Sequence, residues 1–193
     1  MGKRMSFKQY RANDLFVFAV IMVVFETIVV KAAPRFSSQP YTLSIVPAVT
    51  CIVYMRWGVW GVLHAVLGAL VFCICSHADV AQYEIYVVGN LLSGVSLLVL
   101  LYVGKEKIRS KVFWSLLYAV LVTLLMQVGR GLVAFLLGSP IGIVLNFVLT
   151  DSLSGVFALV IVWIVRRLDG VFEDQKAYLF RINREEEEER NES

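Results

Sequence analysis

Two histidines and three cysteines are the only imidazole and thiol ligands that this chain offers a transition metal. His64 and His77 are separated along helical spans, so no catalytic metal site is expected. Cys51, Cys73 and Cys75 fall in or at the ends of apolar runs, and an odd number of buried thiols does not suggest a disulfide framework. Cys73 and Cys75, two residues apart, point in different directions on a helix. Signatures of catalysis are missing as well. Gly104-Lys105 lacks a glycine five residues before Gly104, so there is no Walker A loop. Neither G-x-S-x-G nor H-E-x-x-H occurs, and Asp169-Gly170 lacks the earlier acid of the membrane phosphoalcohol transferases. No repeat of roughly 20–50 residues is visible, nor an inverted one. The chain is expected to be no enzyme, to hold no cofactor and to bind no nucleic acid.

Charge is scarce too. Charged residues make up 17% of the chain against 59% hydrophobic ones, and mean hydropathy is +0.74. That balance excludes an ordinary soluble domain and points to an all-α integral membrane protein. Apolar runs recur at 14–33, 42–55, 59–75, 80–103, 112–137 and 141–165, which reads as a six-transmembrane-helix bundle. The first run follows a basic segment, as in a signal peptide. It is too long for a typical h-region, carries Glu26 and lacks an A-x-A cleavage site, so it is read as a membrane helix. The second run is short, with Pro47 inside it, and is expected to kink. Gly61, Ala65 and Ala69 recur every fourth residue in the third, a stripe that lets helices approach closely. The domains expected are a basic N-terminus (1–13), the membrane bundle (14–168) and a charged tail (169–193), disordered at its Glu185–Glu189 end.

Six spans put both termini on one side, and charge bias selects that side. With cytoplasmic termini, the inner segments hold Lys3, Arg4, Lys8 and Arg11, then Arg56, then Lys105, Lys107, Arg109 and Lys111, then Arg166 and Arg167. The outer loops hold only Lys31 and Arg35, so the positive-inside rule is met. The location expected is a multi-pass bacterial plasma membrane protein.

The intramembrane polar residues then gather in the outer half. Arg130 and Gln127, three residues apart, share one face of the fifth run. Glu26, Tyr83, Tyr86, Asn90, Asn146 and Asp151 fall in the outer or middle parts of the others. Only His64, in the inner half, breaks the pattern, and it is read as a packing residue. An arginine at membrane depth costs at least ~2.5 kcal/mol unless it faces protein or water. Arg130 therefore either pairs with Glu26 or Asp151 as a structural ion pair, or meets a ligand. For the set as a whole the binding reading is favoured: a small amphoteric organic molecule, held by Arg130, Gln127, Asn146, Asp151, Glu26, Asn90 and Tyr86.

Six helices, a short second helix and a glycine- and alanine-rich third resemble the substrate-binding S components of energy-coupling factor (ECF) micronutrient transporters. The stretches YTLSIVPAVTCIVYMRWGVWGVLHAVLGALVFCIC, residues 41–75, and IGIVLNFVLTDSLSG, residues 141–155, carry the likeness. It implies a vitamin or related compound bound in an outward-facing cavity, gated by the first loop with Arg35, Phe36, Gln39 and Tyr41. It also implies partners: a membrane coupling protein and two cytosolic ATPases. The A-x-x-x-A of many first helices is lacking, since Ala12 and Ala19 are followed four residues on by Phe16 and Val23. Gly2 stands where the cobalt and nickel relatives carry histidine, which disfavours a metal substrate. The alternative, from another class, is a membrane scaffold of the rod-shape morphogenesis type with no small-molecule ligand.

Overall fold

The computed structural model describes residues 6–36 and 43–192. Among these, all regular structure is helical. Four apolar helical segments are long enough to cross a membrane: Phe7–Arg35, Val46–Ser76, Val80–Val103 and Val112–Leu136, with Ser152–Val165 a shorter one. Helix α1 (Phe7–Ala32) begins at a capping box in which Ser6 and Gln9 exchange side-chain and backbone bonds.

Val46–Ser76 is a hairpin and not one straight span. Gly58 takes φ +58° and turns the chain, ending α2 (Val46–Trp57) before α3 (Gly61–Ser76) begins. The two helices pack antiparallel: a Cβ at Gly61 would run into Tyr54, and one at Gly68 into Val46. Pro47 was expected to kink its helix. It stands instead in the first turn of α2, where a missing N–H loses no helical bond, so α2 runs unbroken. Every residue of α2 is buried, against α1, α3 and the later helices. A helix apolar on all sides needs neighbours all round.

Helix α4 (Val80–Val103) departs from regularity twice, through a π-helical stretch at Glu84–Val88 and a 3₁₀ stretch at Leu92–Val95. After the short basic α5 (Lys105–Ser110) comes α6 (Val112–Leu136). Its buried face carries Ser115, Tyr118, Thr123, Gln127, Gly129 and Arg130, whereas Leu124, Val128, Leu132 and Phe135 are exposed. The sixth apolar run was expected to be one helix. It breaks at Asp151 into α7 (Ile141–Thr150) and α8 (Ser152–Val165). Polar side chains inside and apolar ones outside are the arrangement that a hydrocarbon solvent selects.

One end of the bundle is pinned by Arg56. Its Nη2 and Nε donate to the two carboxylate oxygens of Asp14 at 2.7 and 2.8 Å, and Nη1 donates to the carbonyls of Gly170 and Val171. Trp57 Nε1–H donates to the same carboxylate at 2.5 Å. Around this pin Phe172 is buried, and Gln175 joins the Tyr10 hydroxyl to the Gly170 carbonyl. Lys105 and Arg109 of α5 pair with Asp174 and Glu173. A hydrogen bond from Arg109 to Glu106 raises the guanidinium pKa above its ordinary value. The charged segment after α8 thus begins as part of the bundle and continues as helix α9 (Gln175–Glu192). His64 packs nearby, its Nε2 3.1 Å from the Leu15 carbonyl, in keeping with a structural histidine.

Asp14→Ala is expected to lower stability in detergent by about 3 kcal/mol, because Arg56 is left buried without its carboxylate. Asp14→Asn, which keeps an acceptor, should recover part of the loss. Chemical denaturation followed by circular dichroism measures both.

Candidate functional site

At the other end of α1, about 18 Å from Asp14 at 1.5 Å per residue, the helices form a polar cluster around Arg130. The guanidinium is 5% exposed. Its Nε donates to Asn90 Oδ1 at 2.8 Å, its Nη1 donates to the Asp151 carboxylate, and its carbon lies 4.7 Å from the Tyr86 ring centroid. Asn90 is fully buried, and its Nδ2 donates to the Ala65 carbonyl at 2.9 Å. Arginine only donates, so the amide oxygen of Asn90 must be the atom that faces it. Ser93 donates to the Asn90 carbonyl, which leaves the Tyr54 hydroxyl to donate to Ser93 at 2.8 Å.

Local backbone chemistry explains how these groups converge. The π-helical stretch Glu84–Val88 widens α4 by a residue per turn and sets Tyr86 and Asn90 toward α6 together. Gly89 allows the approach, since a Cβ there would stand 2.6 Å from the Arg130 Cα and backbone nitrogen. Gly129 is its counterpart, packed on the Gly89 carbonyl. Asp151 occupies the gap between α7 and α8, at the N-cap position of α8, and makes no side-chain cap there. Its carboxylate bonds to Arg130 instead.

Glu26 has a different task from the one anticipated. Its carboxylate accepts the Ile45 N–H at 3.0 Å and the Ser44 hydroxyl at 2.9 Å. Ser44 Oγ in turn accepts the Val46 N–H at 3.2 Å. The Ile45 side chain cannot cap α2, so Glu26 accepts the Ile45 N–H from α1 and, through Ser44, supports the bond to the Val46 N–H. Asp151, and not Glu26, is therefore the bonded counter-charge of Arg130.

A cleft opens over this cluster, lined by Glu26, Ser44, Phe72, Tyr86, Arg130 and Asp151 among others. Its volume is ≈ 20 Å³, room for a water molecule and not for an organic ligand. Of the residues singled out from sequence, Arg130, Asp151, Glu26 and Tyr86 meet at the cleft, and Asn90 supports Arg130 from behind. Gln127 is buried one turn before Arg130 but is not among the described residues lining the cleft. Asn146 lies on α7 with an exposed side chain. Arg35 is exposed, Phe36 closes a 3₁₀ turn, and Gln39 and Tyr41 lie outside the described residues. Sequence reasoning missed Ser44, Gly68, Ala69 and Phe72. For Ser44 a signal existed: a serine two residues before a Val-Pro pair is a helix-start pattern.

Comparison with protein-family models, curated proteins and solved structures finds no match.

Asp151→Ala is expected to destabilise the protein by about 3–5 kcal/mol, since it strands a buried guanidinium. The double change Arg130→Met with Asp151→Leu should restore most of that stability. Urea titration of the two variants, and of each single change, measures the coupling.

Proposed function

We infer that this chain is the substrate-binding subunit of an ECF-type importer, crossing a bacterial plasma membrane six times with cytoplasmic termini. It captures a small organic micronutrient in a cavity open to the outside. A membrane coupling protein and two cytosolic ATPases supply the energy. The observation that carries this reading is the coincidence of two broken helices. The π-stretch of α4 and the α7–α8 break both fall beside Arg130, where the cleft lies. Apolar helices give up regular backbone at membrane depth where protein or a water-lined cavity takes over, and transporters place their substrate sites there.

The topology has independent support. The start of α1, the α2–α3 turn, α5 and the segment after α8 meet around Arg56 and Asp174. These segments carry Lys8, Arg11, Arg56, Lys105, Lys107 and Arg109, the charges that the positive-inside rule assigns to the cytoplasm. Counting α2 and α3 as separate passes and α7–α8 as one broken span would give the six passes of this reading.

A ligand with a carboxylate or similar acceptor would take over the Arg130 bond now made to Asp151. The N-terminus of α8 lies next to it and favours negative charge. The cleft has to open to admit such a molecule, and the gate of this reading is the first loop, with Arg35, Phe36, Gln39 and Tyr41. A second reading, the membrane scaffold, draws on the same cluster: the Nε and Nη1 donors of Arg130 are met by the protein itself, and the cleft has room for no more than a water molecule.

Mass spectrometry of the purified protein is expected to find a co-purifying organic compound. Arg130→Ala should weaken its binding at least about tenfold, the loss of one charge-assisted contact. Affinity capture from membranes is expected to bring down the coupling protein and both ATPases. Absence of ligand and ATPases together favours the scaffold.

A further inference from the structure

A second cavity, ≈ 340 Å³, lies between the end of α4, α5 and the start of α6. It is as large as the smaller ligand pockets, which begin at about 300 Å³. Its walls are Val99, Val103, Ile108, Trp114, Leu117 and Leu121, with Tyr118 at the base. The Tyr118 hydroxyl is turned away to Ser96 at 3.2 Å, so the lining offers almost nothing polar. Leu117 is 44% exposed, which opens the cavity on the outer surface of the bundle. The Arg130 cleft, by contrast, is built from other residues altogether.

The mouth of this cavity is cationic. Lys107 Nζ stands 4.8 Å from the ring centroid of Trp114, which itself lines the wall. Lys111 is exposed at the head of α6. Among the described residues, Lys105 and Arg109 are engaged in ion pairs with Asp174, Glu106 and Glu173, whereas Lys107 and Lys111 are in none. An exposed ammonium on the Trp114 ring, a second at the head of α6 and an apolar slot match one kind of occupant. The slot takes a hydrocarbon chain, and the lysines take a phosphate. A tryptophan between them stands where interfacial aromatic residues sit, one face apolar and one edge wet.

We propose that this cavity is a binding site for an anionic phospholipid of the leaflet facing α5, with an acyl chain between α4 and α6 and its phosphate on Lys107 and Lys111. The attraction is electrostatic at the headgroup and hydrophobic in the slot, so both halves are needed for selective retention. Lipid held there would brace α5 against α6, the junction at which the Ser115 hydroxyl donates to the Ile108 carbonyl.

Native mass spectrometry of the full chain in detergent, titrated with phosphatidylglycerol and with phosphatidylcholine, tests this. The wild type is expected to retain phosphatidylglycerol at least fivefold more tightly. Lys107→Gln with Lys111→Gln, changes at exposed positions, should bring the two lipids to equal retention. Leu117→Trp fills the slot and should weaken phosphatidylglycerol binding fivefold or more with both lysines present. Equal retention of the two lipids by the wild type overturns the site. So does a preference that survives the double lysine change, or one untouched by Leu117→Trp with an unaltered melting temperature.

Discussion

An arginine enclosed by apolar helices has to find its hydrogen-bond acceptors within the protein, and that requirement shapes the end of the bundle around Arg130. Asp151 can reach it because the last apolar run breaks at that residue. Asn90 can reach it because α4 is widened and because two glycines, Gly89 and Gly129, let the α4 and α6 backbones touch. Each of these features is costly in isolation: a π-stretch, a helix break and two helical glycines all give up backbone stability. Together they satisfy one guanidinium.

The two ends of the bundle use the same chemistry for different ends. At Arg56 the guanidinium ties α1, α2 and the segment after α8 through one carboxylate and two backbone carbonyls, and Phe172 and Gln175 are buried in the same segment. That arrangement is a clasp. At Arg130 the partners are side chains on elements that are already irregular, and a cleft lies over them. Carboxylate and amide partners can be exchanged for those of a ligand with little backbone movement, whereas carbonyls in the clasp cannot. Arg56 is a structural clasp, and the exchangeable partners of Arg130 are what the proposed binding role would use.

Glu26 illustrates how a charge can look functional and serve a helix end. Seen along the sequence it is an acid in a membrane span, a plausible counter-ion. In the fold it caps α2, whose first residues Ile45 and Val46 present N–H groups with no capping side chain of their own beyond Ser44. An acid at a helix N-terminus also suits the helix dipole. Its place in the wall of the cleft is a consequence of where α2 begins.

The linear pattern of residues determined the number and rough limits of the apolar runs, their fitness for a membrane by length and composition, and which polar residues are anomalous. These are legible because hydrocarbon thickness fixes run length and because charge at membrane depth is rare. The hairpin at Gly58 was legible too, since MRWG interrupts two apolar runs. Four of the proposed ligand residues, Arg130, Asp151, Glu26 and Tyr86, do meet in space. What the sequence could not supply was pairing. Whether Arg130 bonds to Glu26 or Asp151 depends on helix rotation and on a break at Asp151 that no glycine or proline announces. The apolar cavity beneath Lys107 was equally hidden, because Val99, Ile108, Trp114 and Leu121 come from three separate helices. Composition and periodicity act within one segment; the choice of partner is made between segments, by packing, and only the tertiary structure decides it.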